Sequence, residues 1–386
     1  MKKFVELIQR IHKERFPVVM NKIVAEKIPV AFLSVAPIEQ AIDIVKNLRA
    51  QNLNIDNLIT VNTPPHSDYF QIDFNIINLA DVDKIHPRPE YILTTDYLSS
   101  RVAGKYLPKI KVISLVLGNE DSDNVYNAFI NNLEKLFEVY ESFIDDESRK
   151  AFYGYWLGKS SGQFSEFYHA KGSHYMTAGF IPKPEDILIE GGVCDGFTSK
   201  MFAELGCKVY GFEMDSENFK LAKKVADEKN FVLENFGLGS YNHKINYTHA
   251  PGGNIGASQI DMNGSEVAQI ITLDSYVREK RLPRVDCIKL DVEGAELDVL
   301  KGASTTIKRW KPILLLSAYH KLDDFWILMD YVKSIRSDYE WALRHFNMTA
   351  EDNEGVLMDN DRNNLMNLMG LDIAAKNSVE CCLLAR

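Results

Sequence analysis

Apolar residues along this chain follow two recurring patterns. Short unbroken runs, such as Val30 to Leu33, Leu58 to Val61, Tyr91 to Leu93 and Val112 to Leu115, read as buried strands. Between them, Ile38 to Leu48 and Leu98 to Tyr106 repeat their apolar positions every three or four residues, as one face of a helix does. Strands alternating with helices predict a parallel sheet with crossover helices. The chain start has the same helical spacing at Phe4, Leu7, Ile8 and Ile11. A longer helix is predicted through Val125, Phe129, Leu133, Leu136, Phe137, Tyr140 and Ile144, ending near Asp145. The aromatic-rich stretch from Phe152 to Tyr175 then reads as the joint between two domains.

Past Asp186 the alternation is sharper. Ile187 to Ile189, Val209 to Phe212, Phe231 to Leu233, Ile270 to Leu273, Cys287 to Leu290, Ile313 to Leu316 and Ser378 to Ala385 read as strands. Phe197, Met201, Phe202 and Leu205 share a helix face that stops at Gly206, and Phe219 to Lys229 forms another helix. The expected organisation is a degenerate Rossmann-like α/β domain with a long linking helix over residues 1–150, and a larger α/β domain over 151–386.

A length of 386 residues agrees with two domains. The formal net charge of −10 and the lack of a Lys/Arg-dense stripe argue against nucleic acid as a partner. No apolar run is long enough to span a bilayer, and the cationic start lacks a signal-peptide core, so membrane insertion and export are not expected. Five cysteines without C-x-x-C or zinc-ligand spacing fit a reduced, cytoplasmic protein. The first strand of the N-terminal half ends in "LSVAP", with no G-x-G-x-x-G, so partner contacts or oligomerisation suit that half better than a dinucleotide.

Candidate chemistry begins at "DILIEGGVCDGFTSKMFAELGCKVYGFEMD", Asp186 to Asp215. Glu190 closes one strand, Gly192 and Gly196 follow in a turn, and Glu213 closes the next strand. Glycine lets the chain turn sharply and lets a ligand approach the backbone. A carboxylate ending the second strand is placed to accept the two hydroxyls of a ribose. The layout therefore describes a nucleoside site. An NAD-type site needs G-x-G-x-x-G so that a pyrophosphate can sit on a helix N-terminus, and acidic Asp195 would oppose that phosphate. S-adenosylmethionine carries no phosphate, and Glu190 suits its ammonium.

With "ITLDSYV", "VDCIKLDVEGAELDVLKGA" and "KPILLLSAYHK" following in that order, residues 170–345 resemble the FkbM-type S-adenosylmethionine-dependent methyltransferases. The resemblance implies a class I methyltransferase sheet of seven strands with the last antiparallel. It also implies O-methyl transfer to a hydroxyl of a sugar, glycan precursor or glycosylated metabolite, in polysaccharide biosynthesis. Carried over by motif, Glu190, Gly192 and Gly196 form the cofactor turn, Glu213 grips the ribose, Met214 borders the adenine and Tyr175 walls the cofactor. Ser258 lies in a Gly-rich loop of the kind that closes on the cofactor. Ser317 stands where many relatives carry Glu, and 347–377 is long for the link between the final strands. Rival readings are a dinucleotide oxidoreductase and a catalytically idle methyltransferase fold that organises a biosynthetic complex.

Three carboxylates crowd "IKLDVEGAE". Asp291 ends a strand, where sites form in open α/β sheets, and is a candidate catalytic residue. Glu293 and Glu296 read as the acidic opening of a helix, worth about 0.3–1 kcal/mol each. Lys289 reads as a cross-sheet partner that neutralises part of the cluster. His320 ends the next strand and is the candidate base beside Asp291. A divalent metal is a further expectation: Asp291, His320 and Asp323 or Asp324 offer hard donors for magnesium or calcium, although spacing alone does not bring them together.

Overall fold

The alternating strands and helices form two separate parallel-type sheets in the computed structural model, which describes residues 1–61, 71–107, 109–170, 175–249, 259–260, 263–345 and 381–386. Its described residues divide into two compact units, Met1–Phe137 with Arg149–His169, and Glu138–Ser148 with Ala170–Asn347 and Glu380–Arg386.

The first unit runs α1 (Lys2–Glu14), α2 (Phe16–Ala25), β1 (Val30–Ser34), α3 (Ile38–Ala50), β2 (Ile55–Thr60), β3 (Asn75–Asn78), β4 (Tyr91–Thr94), α4 (Tyr97–Tyr106), β5 (Lys111–Ser114) and α5 (Leu115–Asn131); α6 (Leu133–Ser142) and α7 (Asp146–Ser161) each belong partly to the first unit and partly to the second. Its five strands are parallel in the order β3-β2-β1-β4-β5. Successive residues of β1 go to opposite faces. Phe32 joins Leu58, Leu93 and Ile113 in one core, while Ala31 and Leu33 join Ile59, Ile92 and Val112 in the other. Both faces are covered, which is why these strands read as continuous apolar runs.

The second unit runs β6 (Ile187–Gly191), α8 (Phe197–Glu204), β7 (Lys208–Phe212), α9 (Ser216–Lys229), β8 (Val232–Glu234), β9 (Gly237–Leu238), β10 (His243–Thr248), β11 (Gln259–Ile260), β12 (Glu266–Ile271), α10 (Leu273–Glu279), β13 (Cys287–Leu290), α11 (Glu296–Gly302), α12 (Ser304–Trp310), β14 (Ile313–Ser317), α13 (Asp324–Ile335), β15 (Trp341–His345) and β16 (Cys381–Ala385). Seven of these strands form a sheet ordered β15-β16-β14-β13-β6-β7-β8. Strand β16 is antiparallel to both β14 and β15, and the remaining pairs are parallel. This is the seven-stranded class I arrangement. From β6 the chain winds outward through β7 and β8, then returns to β13 on the other side. The crevice at the carboxyl ends of β6 and β13 is therefore the topological switch point, where open α/β sheets bind ligands.

The structure differs from the sequence reading in several places. The long helix through Val125 and Ile144 is two helices, α5 and α6, parted at Asn132. The Asn132 side-chain amide donates to the Ala128 carbonyl at 2.8 Å, offering that carbonyl a partner outside the helical ladder. The aromatic stretch after Phe152 is helical as far as Ser161, and Phe152, Tyr155 and Trp156 are core residues. Phe197 is 58% exposed and leaves the helix face predicted for it. The strand expected to reach Leu273 stops at Ile271, because the Thr272 hydroxyl accepts the Ser275 N–H and starts α10. Edge strand β3 escaped the sequence reading, since a four-residue strand with Asn at both ends carries little apolar signal. Among the described residues no helix is long and apolar enough to cross a membrane.

Edge strand β15 is anchored by a buried cation. Arg344 is buried, donates to both oxygens of Asp145, and lies 3.2 Å from Glu147. Burial alone would raise the Asp145 carboxyl, but Arg344 and the Ser148 amide and hydroxyl outweigh it and hold its pKa down at about 2. Replacing the guanidinium with a neutral chain of similar volume strands that carboxylate. Because Asp145 is partly exposed and keeps its Ser148 donors, Arg344→Met should lower stability by about 1–2 kcal/mol, read as a fall in thermal midpoint; an unchanged midpoint would show that the anchor is dispensable.

Candidate functional site

The site rests on a buried ion pair. Glu190 on β6 and Lys289 on β13 are direct neighbours in the sheet register. Their side chains are 0% and 3% exposed, with Lys289 Nζ 3.1 Å from Glu190 Oε1. Burial alone would lower the Lys289 pKa, but Glu190 and Asp291 outweigh it and the pKa is raised. The remaining valences of the pair are used as well. Thr198 and Ser199 in the first turn of α8 donate their hydroxyls to the two oxygens of Glu190. Lys289 donates to the Gly192 carbonyl at 3.1 Å, lies 4.0 Å from Asp291 Oδ2, and sits over the Tyr175 ring. Glu190 is thus beneath the turn, engaged with its own chain.

The turn itself requires glycine. Gly192 has φ of +77°, and a Cβ there would lie 1.7 Å from the Asp291 carbonyl oxygen. Gly196 has φ of +91° and leads directly into α8. Between them the Cys194 N–H donates to Glu213 Oε2 at 2.8 Å. The Asp215 N–H donates to Glu213 Oε1, also at 2.8 Å. Glu213 is 6% exposed, and its burial pushes the carboxyl up to about 7, while these two amides and Lys289 pull against that and Asp215 adds to it. Met214 follows at the edge, half-buried, beside Gly237 of β9. Asp195 accepts the Phe197 N–H at 3.0 Å. An anion already occupies the start of α8, so a pyrophosphate placed there would meet a like charge. The arrangement fits a nucleoside without phosphate.

Asp291 closes β13 at the same edge. Tyr175 donates its hydroxyl to Oδ2 and Tyr319 donates to Oδ1, each at 3.3 Å. The Tyr175 hydroxyl also lies 3.1 Å from Ser317 Oγ at the end of β14. His320 packs beside Asp291, with Nε2 3.6 Å from Asp291 Oδ1 and 3.7 Å from Glu293 Oε2. Its Nδ1 lies 3.0 Å from Glu296 Oε1, without the alignment of a hydrogen bond. Burial alone would lower the His320 pKa, but Glu296, Asp291 and Glu293 outweigh it and push it up to about 9. Burial pushes Glu293 up to about 6, with His320 opposing.

The residues singled out in the sequence therefore converge. Gly192, Gly196, Glu213 and Met214 follow β6 and β7, and Tyr175, Asp291 and His320 gather beyond β13 and β14, at the same carboxyl edge of the sheet. Glu296 is fully buried inside the Asp291–His320 group, a deeper place than a helix-opening acid needs. It accepts the Val292 N–H at 2.9 Å and holds the loop before α11. Asp324 accepts the Lys321 N–H instead of facing Asp291. Sequence reasoning missed Tyr319. Its i, i+2 spacing from Ser317 was the available signal, since alternate residues of an extended chain share a face. Ser258, His174 and residues 347–377 lie outside the described residues.

Residues 190–340 match the model of the methyltransferase FkbM domain. The hexuronic acid methyltransferase AglP of Haloferax volcanii is 26% identical over 126 residues, 32% of this chain and 52% of the relative. The match thus spans about half the length of that curated relative. Methyltransferase FkbM from Methylobacillus flagellatus KT, a crystal structure, superposes with a TM-score of 0.62 at 16% identity, covering 100% of this chain and 98% of that one. Such a likeness establishes the fold.

The tightest constraint in the site is at Gly192. Gly192→Ala must move either the turn or the end of β13, and should destabilise the protein by at least about 3 kcal/mol in denaturant unfolding. A loss below about 1 kcal/mol would mean that the turn yields readily.

Proposed function

We propose that the protein, whose residues 190–340 match the model of the methyltransferase FkbM domain, is an S-adenosylmethionine-dependent O-methyltransferase acting on a hydroxyl of a sugar, glycan precursor or glycosylated metabolite. One observation carries this reading: the glycine turn, the Glu213 carboxylate and the Asp291–His320 pair meet at a single sheet edge. The sugar class is supported by the hexuronic acid methyltransferase among its relatives.

Gly192 and Gly196 open the backbone for the cofactor. Glu213 accepts the ribose hydroxyls with the lone pairs that its two amide donors leave, Met214 borders the adenine, and Tyr175 walls the methionine end. Glu190 acts from beneath, fixing the turn through Thr198, Ser199 and Lys289. When bound, the cofactor supplies an electrophilic methyl: the acceptor oxygen forms the new C–O bond, the C–S bond breaks with its electrons going to sulfur, and the hydroxyl proton leaves. Asp291, held in place by two tyrosine hydroxyls, accepts the hydrogen bond of the attacking hydroxyl and orients it. His320 is held as a cation by three carboxylates, so it steadies the Asp291 charge, and it takes the proton only after giving up its own. Orientation carries most of the rate; proximity supplies about 7–11 kcal/mol.

Two measurements test this. Calorimetry should detect S-adenosylmethionine binding that weakens up to about fivefold as pH falls from 7 to 6, because Glu213 with a pKa of about 7 gains a proton and loses acceptor strength. Glu213→Gln should bind weakly and without that pH dependence. Tight NAD binding with no S-adenosylmethionine binding would favour an oxidoreductase instead. Transfer of labelled methyl should be tried on uronic-acid glycans, neutral glycans and nucleotide sugars, and label should appear on a sugar hydroxyl. His320→Ala should reduce turnover about 10²-fold without abolishing it. Binding of the cofactor with no transfer to any of these acceptors would point to an idle scaffold.

A further inference from the structure

The crevice edge carries more acid than the proposed reaction uses. Asp291, Glu293 and Glu296 surround one imidazole, whereas Lys289 is already matched by Glu190. Within this group, one ligand atom each from Asp291, Glu296 and His320 lies within 4.8 Å of the others. Acidic crowding alone says little, but three buried atoms of this group make no directed hydrogen bond among the described residues. Glu296 is fully buried, and its Oε2 has no hydrogen-bond partner among the described residues, although Oε1 accepts two loop amides. The His320 side chain is only 9% exposed, and neither ring nitrogen makes a directed hydrogen bond. A native structure rarely leaves such atoms unsatisfied, because each costs about 1–3 kcal/mol.

We propose that Asp291, Glu296 and His320 bind a divalent metal ion, of the manganese or zinc kind, whose open positions take hydroxyl oxygens of the acceptor. Donors held about 2.1 Å from one ion lie about 3–4.2 Å apart, so a pair separated by 4.8 Å must close by roughly 0.6–1.8 Å, within the reach of side-chain rotation. One imidazole with two carboxylates favours these ions over calcium, which prefers six to eight oxygens. On binding, the ion displaces a ring proton of His320 and replaces the imidazolium as the cation beside Asp291; it also satisfies the buried Glu296 oxygen and offsets the surplus acid. The open side is where Asp291, 23% exposed, and Glu293, 47% exposed, face outward. Two adjacent hydroxyls of a sugar reach an ion there as a chelating pair. The acceptor part of this inference rests on the methyltransferase reading; the ion site does not.

The test uses the full chain, stripped with chelator and titrated with Mn²⁺ alone while the free-ion resonance signal is followed. One Mn²⁺ per chain should bind, and Zn²⁺ should compete. His320→Ala and Asp291→Asn should each weaken binding by at least tenfold, whereas Glu340→Gln, on the remote side of β15, should not. Circular dichroism of each variant separates loss of a ligand from loss of the fold. No Mn²⁺ bound at about 1 mM, or binding that survives both substitutions, overturns the site. Because no cofactor or acceptor is present, that result leaves the methyltransferase reading standing. Conversely, Mn²⁺ binding without methyl transfer keeps the site and removes the activity.

Discussion

The second unit depends on keeping one charge pair in place. Glu190 and Lys289 lie in the middle of the sheet, on adjacent strands, with almost no access to water. Breaking a buried pair by losing one partner typically costs about 3–5 kcal/mol, because the survivor is stranded. The pair is tolerated because every valence has an owner. Two hydroxyls of α8 hold the carboxylate, and a carbonyl of the glycine turn, a second carboxylate and an aromatic face hold the ammonium. The pair thereby ties β6, β13, the turn and the start of α8 into one rigid edge.

That rigidity explains why the chemistry sits where it does. The sheet reverses its winding direction between β6 and β13, leaving their carboxyl ends uncovered by a crossover. Gly192 lets the turn after β6 pass within contact distance of the Asp291 backbone, so the glycine turn and the Asp291 cluster adjoin at one sheet edge. Fixed positions suit a reaction whose methyl donor is already activated, where the protein's main contribution is geometry.

Much of this was legible in the chain, because it follows from local pattern. Runs at β6, β7, β13 and β14 stand out as continuous apolar segments, and the acids that end them are conspicuous for the same reason. Gly192 and Gly196 announce themselves by spacing. What the chain concealed was pairing across distance. Lys289 reads as a cross-sheet partner near the acidic cluster, but only the register identifies Glu190 as the group it pairs with. Glu296 reads as a helix-opening acid, yet packing buries it completely against His320. Asn132 breaks a helix that its neighbours would continue, through a single side-chain hydrogen bond. In the first unit the parallel strands were readable, but β3 lies at an edge where burial does not mark the sequence.

Two electrostatic regimes meet at Asp291. Toward the sheet interior, charge is balanced one for one by Glu190 and Lys289. Toward the crevice, Asp291, Glu293 and Glu296 exceed the single imidazole; His320 responds by holding its proton more tightly than usual, and Glu293 does so chiefly through burial. A pocket in that state favours any cation brought to it, whether a proton, a metal ion or a positively charged ligand group. Among the described residues, Asp291 is the carboxylate in contact with both regimes: Lys289 on one side and His320 on the other. Neutralising it would disturb the buried pair and the acid pocket together, whereas neutralising the half-exposed Glu293 would touch the pocket alone. The position of Asp291 between a closed and an open charge system, more than the number of nearby acids, is what sets it apart from its neighbours in "DVEGAE".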